Sequence, residues 1–341
     1  MIKFIITLIL IFNINMAFAN KLYIYGWFSS IPDRIINKFT KETGIKVFMS
    51  SYENNETMYA KLMLLGKQPS YDIVFPSTYF IKKMAKNNML EELDKSKIPN
   101  FKNINKDVLN LDFDPKNKFS IPYVMWFTGI MYNPKFVDKK IDSWNYLFDP
   151  KYKKKVLLLD DVREVFHIAL NLLGYDANTV DEKEIKNAYE KLKSVLTNIS
   201  LFAAESTKQY YLSEDIVIGM SWNGDAYEAM LEDENLKFIY PKEGAIFSMD
   251  NFVILKNAKN KENAYQFINF ICRTDIAKEI IEEIGLSIPN LAAKNLLDSK
   301  FKNNKAIFPS PEVIDKSIIH NDLGESIRLY IKYWNMLKVE D

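Results

Sequence analysis

Short runs rich in β-branched and aromatic residues alternate along this chain with longer amphipathic runs, and this alternation narrows the fold more than any other feature. Residues 21–25, 46–50, 73–75, 128–132, 156–159, 216–221, 237–240 and 252–255 read as strands. Residues 33–43, 56–65, 163–173, 182–196, 261–272 and 275–284 carry the spacing of helices with one apolar face. Strand following helix in this order predicts an α/β fold. At roughly 150 residues per domain, the 341 residues suggest two domains. No Gly/Ser-rich tether or internal repeat interrupts the pattern, so a division must fall at strands or tight crossovers.

The first 19 residues stand outside that pattern. Lys3 precedes an apolar run from Phe4 to Phe12, and Ala17-Phe18-Ala19 supplies the small-x-small sequence that signal peptidase accepts. Asn13 and Asn15 break the run well short of the roughly 20 residues a spanning helix needs. A signal peptide over 1–19 is therefore expected, cleaved after Ala19, with no Cys behind it to carry a lipid. The cleavage removes one Lys and no acid, which takes 45 basic against 44 acidic residues to 44 of each. A neutral exported chain gives no reason to expect nucleic acid or stable membrane insertion as its business. Its single cysteine, Cys272, cannot form an internal disulfide, and two histidines leave little for a His-based metal site. These features point to the periplasm and to a small molecule or protein as partner.

Chemistry-bearing residues gather where strands are expected to end. Residues 157–166 read as a buried strand entering a helix, with Asp161 and Glu164 three apart on its first turn, where α/β sheets bind ligands. The same Asp-x-x-Glu spacing also makes a capping box that only satisfies free backbone N–H groups. Trp27, Tyr79 and Trp222 follow other expected strands, and with acids such as Asp225 and Asp250 they could cage an ammonium group. Each ring alone reads more readily as core packing, and only their joint placement points to a site. No Gly-x-Ser-x-Gly elbow, phosphate loop or His-Glu-x-x-His occurs, and two acids on one helical turn cannot flank a glycosidic bond, so the reading is not an enzyme. His167 and His320 read as surface or pocket-edge groups. The adjacent Tyr210-Tyr211 leaves ferric-ion binding through phenolates as an alternative.

Taken together, several segments resemble the spermidine/putrescine-binding proteins of bacterial polyamine ABC importers. They are residues 39–47, 52–62 and 71–79, Ser120-Ile121-Pro122-Tyr123, residues 160–166, Trp222-Asn223-Gly224, Pro241-Lys242-Glu243-Gly244 and Pro289-Asn290-Leu291-Ala292-Ala293. The resemblance implies the two-lobed periplasmic-binding-protein fold of type II, its ligand cleft lying between lobes joined by strand crossovers. One lobe would be 20–124 plus 250–294, the other 125–249 plus 295–341. By the same resemblance Trp27, Tyr79 and Trp222 form aromatic walls, Asp161, Glu164 and Asp250 receive ammonium groups, Ser77 is a polar contact, and His320 stands where an amide side chain is usual. It also implies a monomer that hands its ligand to an inner-membrane ABC permease, with no cofactor, no metal and no catalytic residue; a related fold retuned to another small cation is the alternative. Phe28-Ser29-Ser30 and Ser248 depart from the family by losing an acid and two rings, while Asp225 resembles the putrescine type and Trp126 adds an aromatic. Those departures favour a diamine over a triamine.

Overall fold

The computed structural model describes residues 20–28, 30–66, 68, 70–204 and 206–339; the expected signal segment 1–19 and Ser29 lie outside the described residues. Ten strands join one hydrogen-bonded sheet: β1 Lys21–Trp27, β2 Lys46–Tyr52, β3 Ile73–Val74, β4 Ser120–Tyr132, β5 Val156–Leu159, β6 Ile199–Ala203, β7 Ile218–Trp222, β8 Lys237–Ile239, β9 Ile246–Ile254 and β10 Ile318–Ile319. Their order is β2-β1-β3-β9-β4-β7-β5-β6, with β10 on β9 and β8 on β4. β1 runs parallel to β2 and β3, and β5 runs parallel to β6 and β7. Between these parallel groups lie β4 and β9, paired antiparallel from Ser120↔Val253 to Thr128↔Ile246.

The α/β expectation holds, and the crossing strands are where it falls short. β4 begins at Ser120 and β9 at Ile246, earlier than the expected 128 and 252. Central strands are buried on both faces and lose the alternation that marks a half-buried strand, and Ser248 and Asp250 interrupt the apolar run of β9. Where one face is solvated the local signals work well. Helix Asp33–Thr43 buries Ile35 and Phe39, four apart, and stops at Gly44, whose φ of 75° suits glycine and whose N–H reaches the Thr40 carbonyl at 2.8 Å. Helices Thr78–Lys86, Asn223–Glu232 and Ile327–Val339 were not expected from the pattern, and each starts directly beside a strand or turn.

Two large cores flank the crossing strands. The first gathers Leu22, Phe75, Phe252 and Phe267, with a smaller cluster around Met58 and Ile81 beside it. The second gathers Trp144, Leu157, Phe166 and Tyr330. Val124↔Asp250 and Met125↔Met249 are cross-strand pairs, so the two expected crossover points lie side by side. A third passage follows: Ile319 packs on the first core and Leu323 lies in the second. Leu297 and Ile307 pack into the first core. Among the described residues no helix is long and apolar enough to cross a membrane.

Gly219 in β7 sets how closely the strands of the second core approach. A β-carbon there would lie 2.4 Å from the Leu157 carbonyl oxygen and 2.7 Å from the Tyr211 hydroxyl. Gly219→Ala is therefore expected to lose about 1–3 kcal/mol, read as a lower denaturation midpoint with an unchanged slope. An alanine variant as stable as the wild type would contradict that packing.

Candidate functional site

The carboxyl ends of β1, β3, β5 and β7 carry Trp27, the turn to Ser77 and Tyr79, Asp161, and Trp222. At such ends the chain turns into helices, and side chains and free N–H groups converge on a common crevice. Asp250, in β9, is the hub on the first-core side. Its Oδ1 accepts the Ser77 hydroxyl at 2.7 Å and its Oδ2 accepts the Trp126 indole N–H at 2.6 Å. Asn55, the first residue of helix Asn55–Leu65, donates to Ser77 Oγ at 3.0 Å and to the Tyr79 hydroxyl at 3.3 Å, and accepts the Ser77 N–H. The Trp27 indole donates to the Phe75 carbonyl at 3.1 Å, and its ring centroid lies 4.6 Å from that of Tyr52. Burial pushes the Asp250 carboxyl up to about 6, against the pull of the Ser77, Trp126 and Trp27 donors.

On the second-core side the helix Val162–Leu172 begins at Asp161, whose Oδ1 accepts the N–H groups of Arg163 at 2.8 Å and Glu164 at 3.1 Å. The capping reading is thus right for Asp161. It is not right for Glu164, whose Oε2 is buried without a hydrogen-bond partner. Glu164 is 8% exposed, and burial followed by the Asp161 charge pushes it up to about 8, with the Thr128 hydroxyl drawing it down. Thr128 is the cross-strand partner of Trp222, which ties that ring to Glu164. Burial also raises Asp161; Glu56, still exposed to solvent, is raised by partial desolvation, and Glu56 and the Tyr79 hydroxyl both lie within electrostatic reach of Asp161 and Arg163. Arg163 is the one buried Lys or Arg among the described residues. Its guanidinium donates to the Asn321 carbonyl at 3.0 Å and to Asn178 Oδ1 at 2.9 Å and lies over the Tyr330 ring. Three raised carboxyls, Glu56, Asp161 and Glu164, thus lie within reach of one buried guanidinium, and the fourth, Asp250, is drawn down by neutral donors alone. An arrangement of this kind is short of positive charge, and a small cation with several N–H donors would relieve it.

Other expected residues are placed differently. Asp225 turns to Thr207, whose hydroxyl it accepts at 2.5 Å, with Lys208 and Glu228 nearby. His167 and His320 are not surface groups: they are buried and meet each other, Nδ1 to Nε2, at 3.3 Å. Pairing satisfies one nitrogen of each, and burial beside Arg163 pushes His167 down to about 3 and His320 well below its ordinary value. Tyr211 is buried and donates to the Met220 carbonyl at 2.9 Å, and burial raises it. Among the described residues no group of three or more His, Cys, Asp or Glu could hold a metal. Glu56, His167 and the Trp126–Asp250 bond were missed as site features. Glu56 sits one residue beyond Asn55, within a segment that had already stood out, and the extra ring at 126 was a visible signal.

The sequence pattern of the bacterial extracellular solute-binding proteins matches residues 34–309. The chain belongs to that family. This solute-binding protein is 46% identical over 318 residues to the spermidine/putrescine-binding periplasmic protein of Salmonella typhimurium, covering 93% of the chain and 91% of the relative. It is 34% identical to the putrescine-binding periplasmic protein of Escherichia coli, over 86% of this chain and 84% of that one. The spermidine/putrescine ABC transporter substrate-binding protein of Streptococcus pneumoniae superposes with a TM-score of 0.84 at 36% identity, covering 94% of this chain and 99% of that one. Two-lobed architecture is thereby shown, and the relatives are transport proteins, not enzymes.

An acid raised from 4.5 to about 8 stabilises the fold while protonated and loses that contribution as pH rises through 8. The paired histidines, held below 6.5, act mainly when pH falls under that value and offset only part of the loss just above it. Asp250 has largely titrated by then, at about 6. Ligand-free protein should accordingly lose roughly 1–2 kcal/mol between pH 6.5 and 8, and Glu164→Gln should flatten that loss. Equal slopes in calorimetric melts of both proteins would show that Glu164 does not carry the charge deficit.

Proposed function

We propose that this protein captures a polyamine in the crevice between its two cores and delivers it to an inner-membrane ABC permease. It works in the periplasm as a single chain behind a signal peptide over 1–19. The observation that carries the reading is the unpartnered Oε2 of Glu164, a buried carboxyl raised to about 8 in a site with one buried guanidinium. A primary ammonium supplies three donors and the missing charge together. The names of the relatives at 46% and 34% identity support the ligand class. Trp27, Tyr79 and Trp222 give flat walls for the methylenes, and Ser77, Asp161, Glu164 and Asp250 receive the charged ends. Asp225 and His320 enter that set with one atom each already engaged, by Thr207 and by His167.

The lobes divide at 124/125 and 249/250, a proposal supported by the cross-strand pairs Val124↔Asp250 and Met125↔Met249. The packing of Leu297 and Ile307 in the first core favours a third passage near 319–323 over one at 295. Closure on the ligand is then a shift in population toward the state in which both sides touch it.

Calorimetric titration of ligand-stripped protein with putrescine, spermidine, spermine, lysine and arginine is the direct test. Reversible binding of a polyamine without chemical change is expected; indifference to every polyamine, or turnover of one, would refute the reading. Asp161→Asn keeps the capping oxygen and removes the charge. It should weaken polyamine binding by roughly 1.5–3 kcal/mol while ligand-free melting stays nearly constant. Undiminished affinity would leave Asp161 as a helix cap alone.

A further inference from the structure

Trp126 lies on β4 directly opposite Ser248 of β9, and Asp250 is two residues from Ser248 on the same strand. Residues two apart on a strand share a face, and a large ring reaches the diagonal position of the neighbouring strand. The indole N–H accordingly ends on Asp250 Oδ2, at 2.6 Å, while the Ser77 hydroxyl holds Oδ1. At its other end the ring reaches the turn after Trp222: its Cζ3 lies 3.5 Å from where a β-carbon of Gly224 would sit. Trp126 is half-buried against the first core, so one side packs and the remainder is open. The ring therefore spans from the hub acid on one side of the crevice to the Trp222 turn on the other.

We propose that Trp126 is a ligand-positioning residue, which aims the Asp250 carboxylate and forms the wall between Asp250 and the Trp222–Gly224 turn, opposite the small side chain of Ser248. The proposal rests on the polyamine reading for its ligand, an alkyl ammonium whose charge meets Asp250 and whose adjoining methylenes lie on the indole face. Fixing the carboxylate with a neutral donor leaves its charge intact for that ammonium. A cation in the same place would have cancelled it.

Two functions of one side chain separate by substitution. Trp126→Phe keeps a ring and removes the donor, so polyamine affinity should fall about tenfold, or 1.4 kcal/mol. The acid limb of the affinity–pH profile should move to higher pH, because Asp250 has lost a group that favours its charged form. Trp126→Ala should fall further, and Ser248→Trp placed in that background should restore part of the loss by returning a ring from the paired strand. Wild-type affinity and an unshifted limb in Trp126→Phe, or no rescue by Ser248→Trp in a double variant that melts as a folded protein, would overturn the assignment. Should the wild type bind no polyamine, the ligand reading fails by itself. The Trp126–Asp250 link is then decided without ligand by carboxyl-carbon NMR of Asp250, whose titration midpoint rises in Trp126→Phe if the indole holds it and stays put if not.

Discussion

Antiparallel pairing between β4 and β9 is the contact on which the remaining geometry depends. Its register, from Ser120↔Val253 to Thr128↔Ile246, sets Trp126 beside Ser248 and lets the indole reach Asp250. The same strand carries Thr128 to its pair with Trp222 and its bond to Glu164. A slip of one residue between the strands would put Asp250 on the opposite face from Trp126 and Thr128. The site is therefore specified as a unit by one strand pair, although its residues come from distant parts of the sequence.

That unit is held in electrical tension. Glu164 and Asp250 are buried acids lifted to about 8 and about 6, and Arg163 is withdrawn toward Asn178, Asn321 and the Tyr330 ring. Packing in the two cores supports the cost, since single uncompensated groups of this kind are worth a few kcal/mol against a total stability of about 5–15. Stability surrendered at the crevice becomes available to an incoming cation as binding free energy.

Much of the fold was legible because its outer strands and helices show one face to solvent. β1, β2 and helix Asp33–Thr43 lie where periodicity puts them, within a residue or two, while β5, buried along its whole length, was legible as a short apolar run entering a helix. The early halves of β4 and β9 were not legible, since strands buried on both faces carry no alternation. Among site residues, Asp161 was seen with both of its readings open, and the structure gives it the cap; Glu164 differs from it in having an oxygen left over. The contact between the histidines was not legible, because a pair formed across 153 positions leaves no local mark. Trp126 was visible only as a surplus ring, because its bond to Asp250 spans 124 positions.

The passage after β10 has a mechanical meaning. β10 pairs with β9 at Ile318↔Ile246 and Ile319↔Phe247, so the chain passages between the cores form a ribbon three strands wide. Beyond it Arg163 and Asn178 grip Asn321, fastening the ribbon's far edge to the helix that carries Glu164. A ribbon flexes easily out of its plane and resists shear within it. Bending across the ribbon, rather than sliding within it, is then the movement the strand pairing favours, and it keeps the residues on the two sides in register.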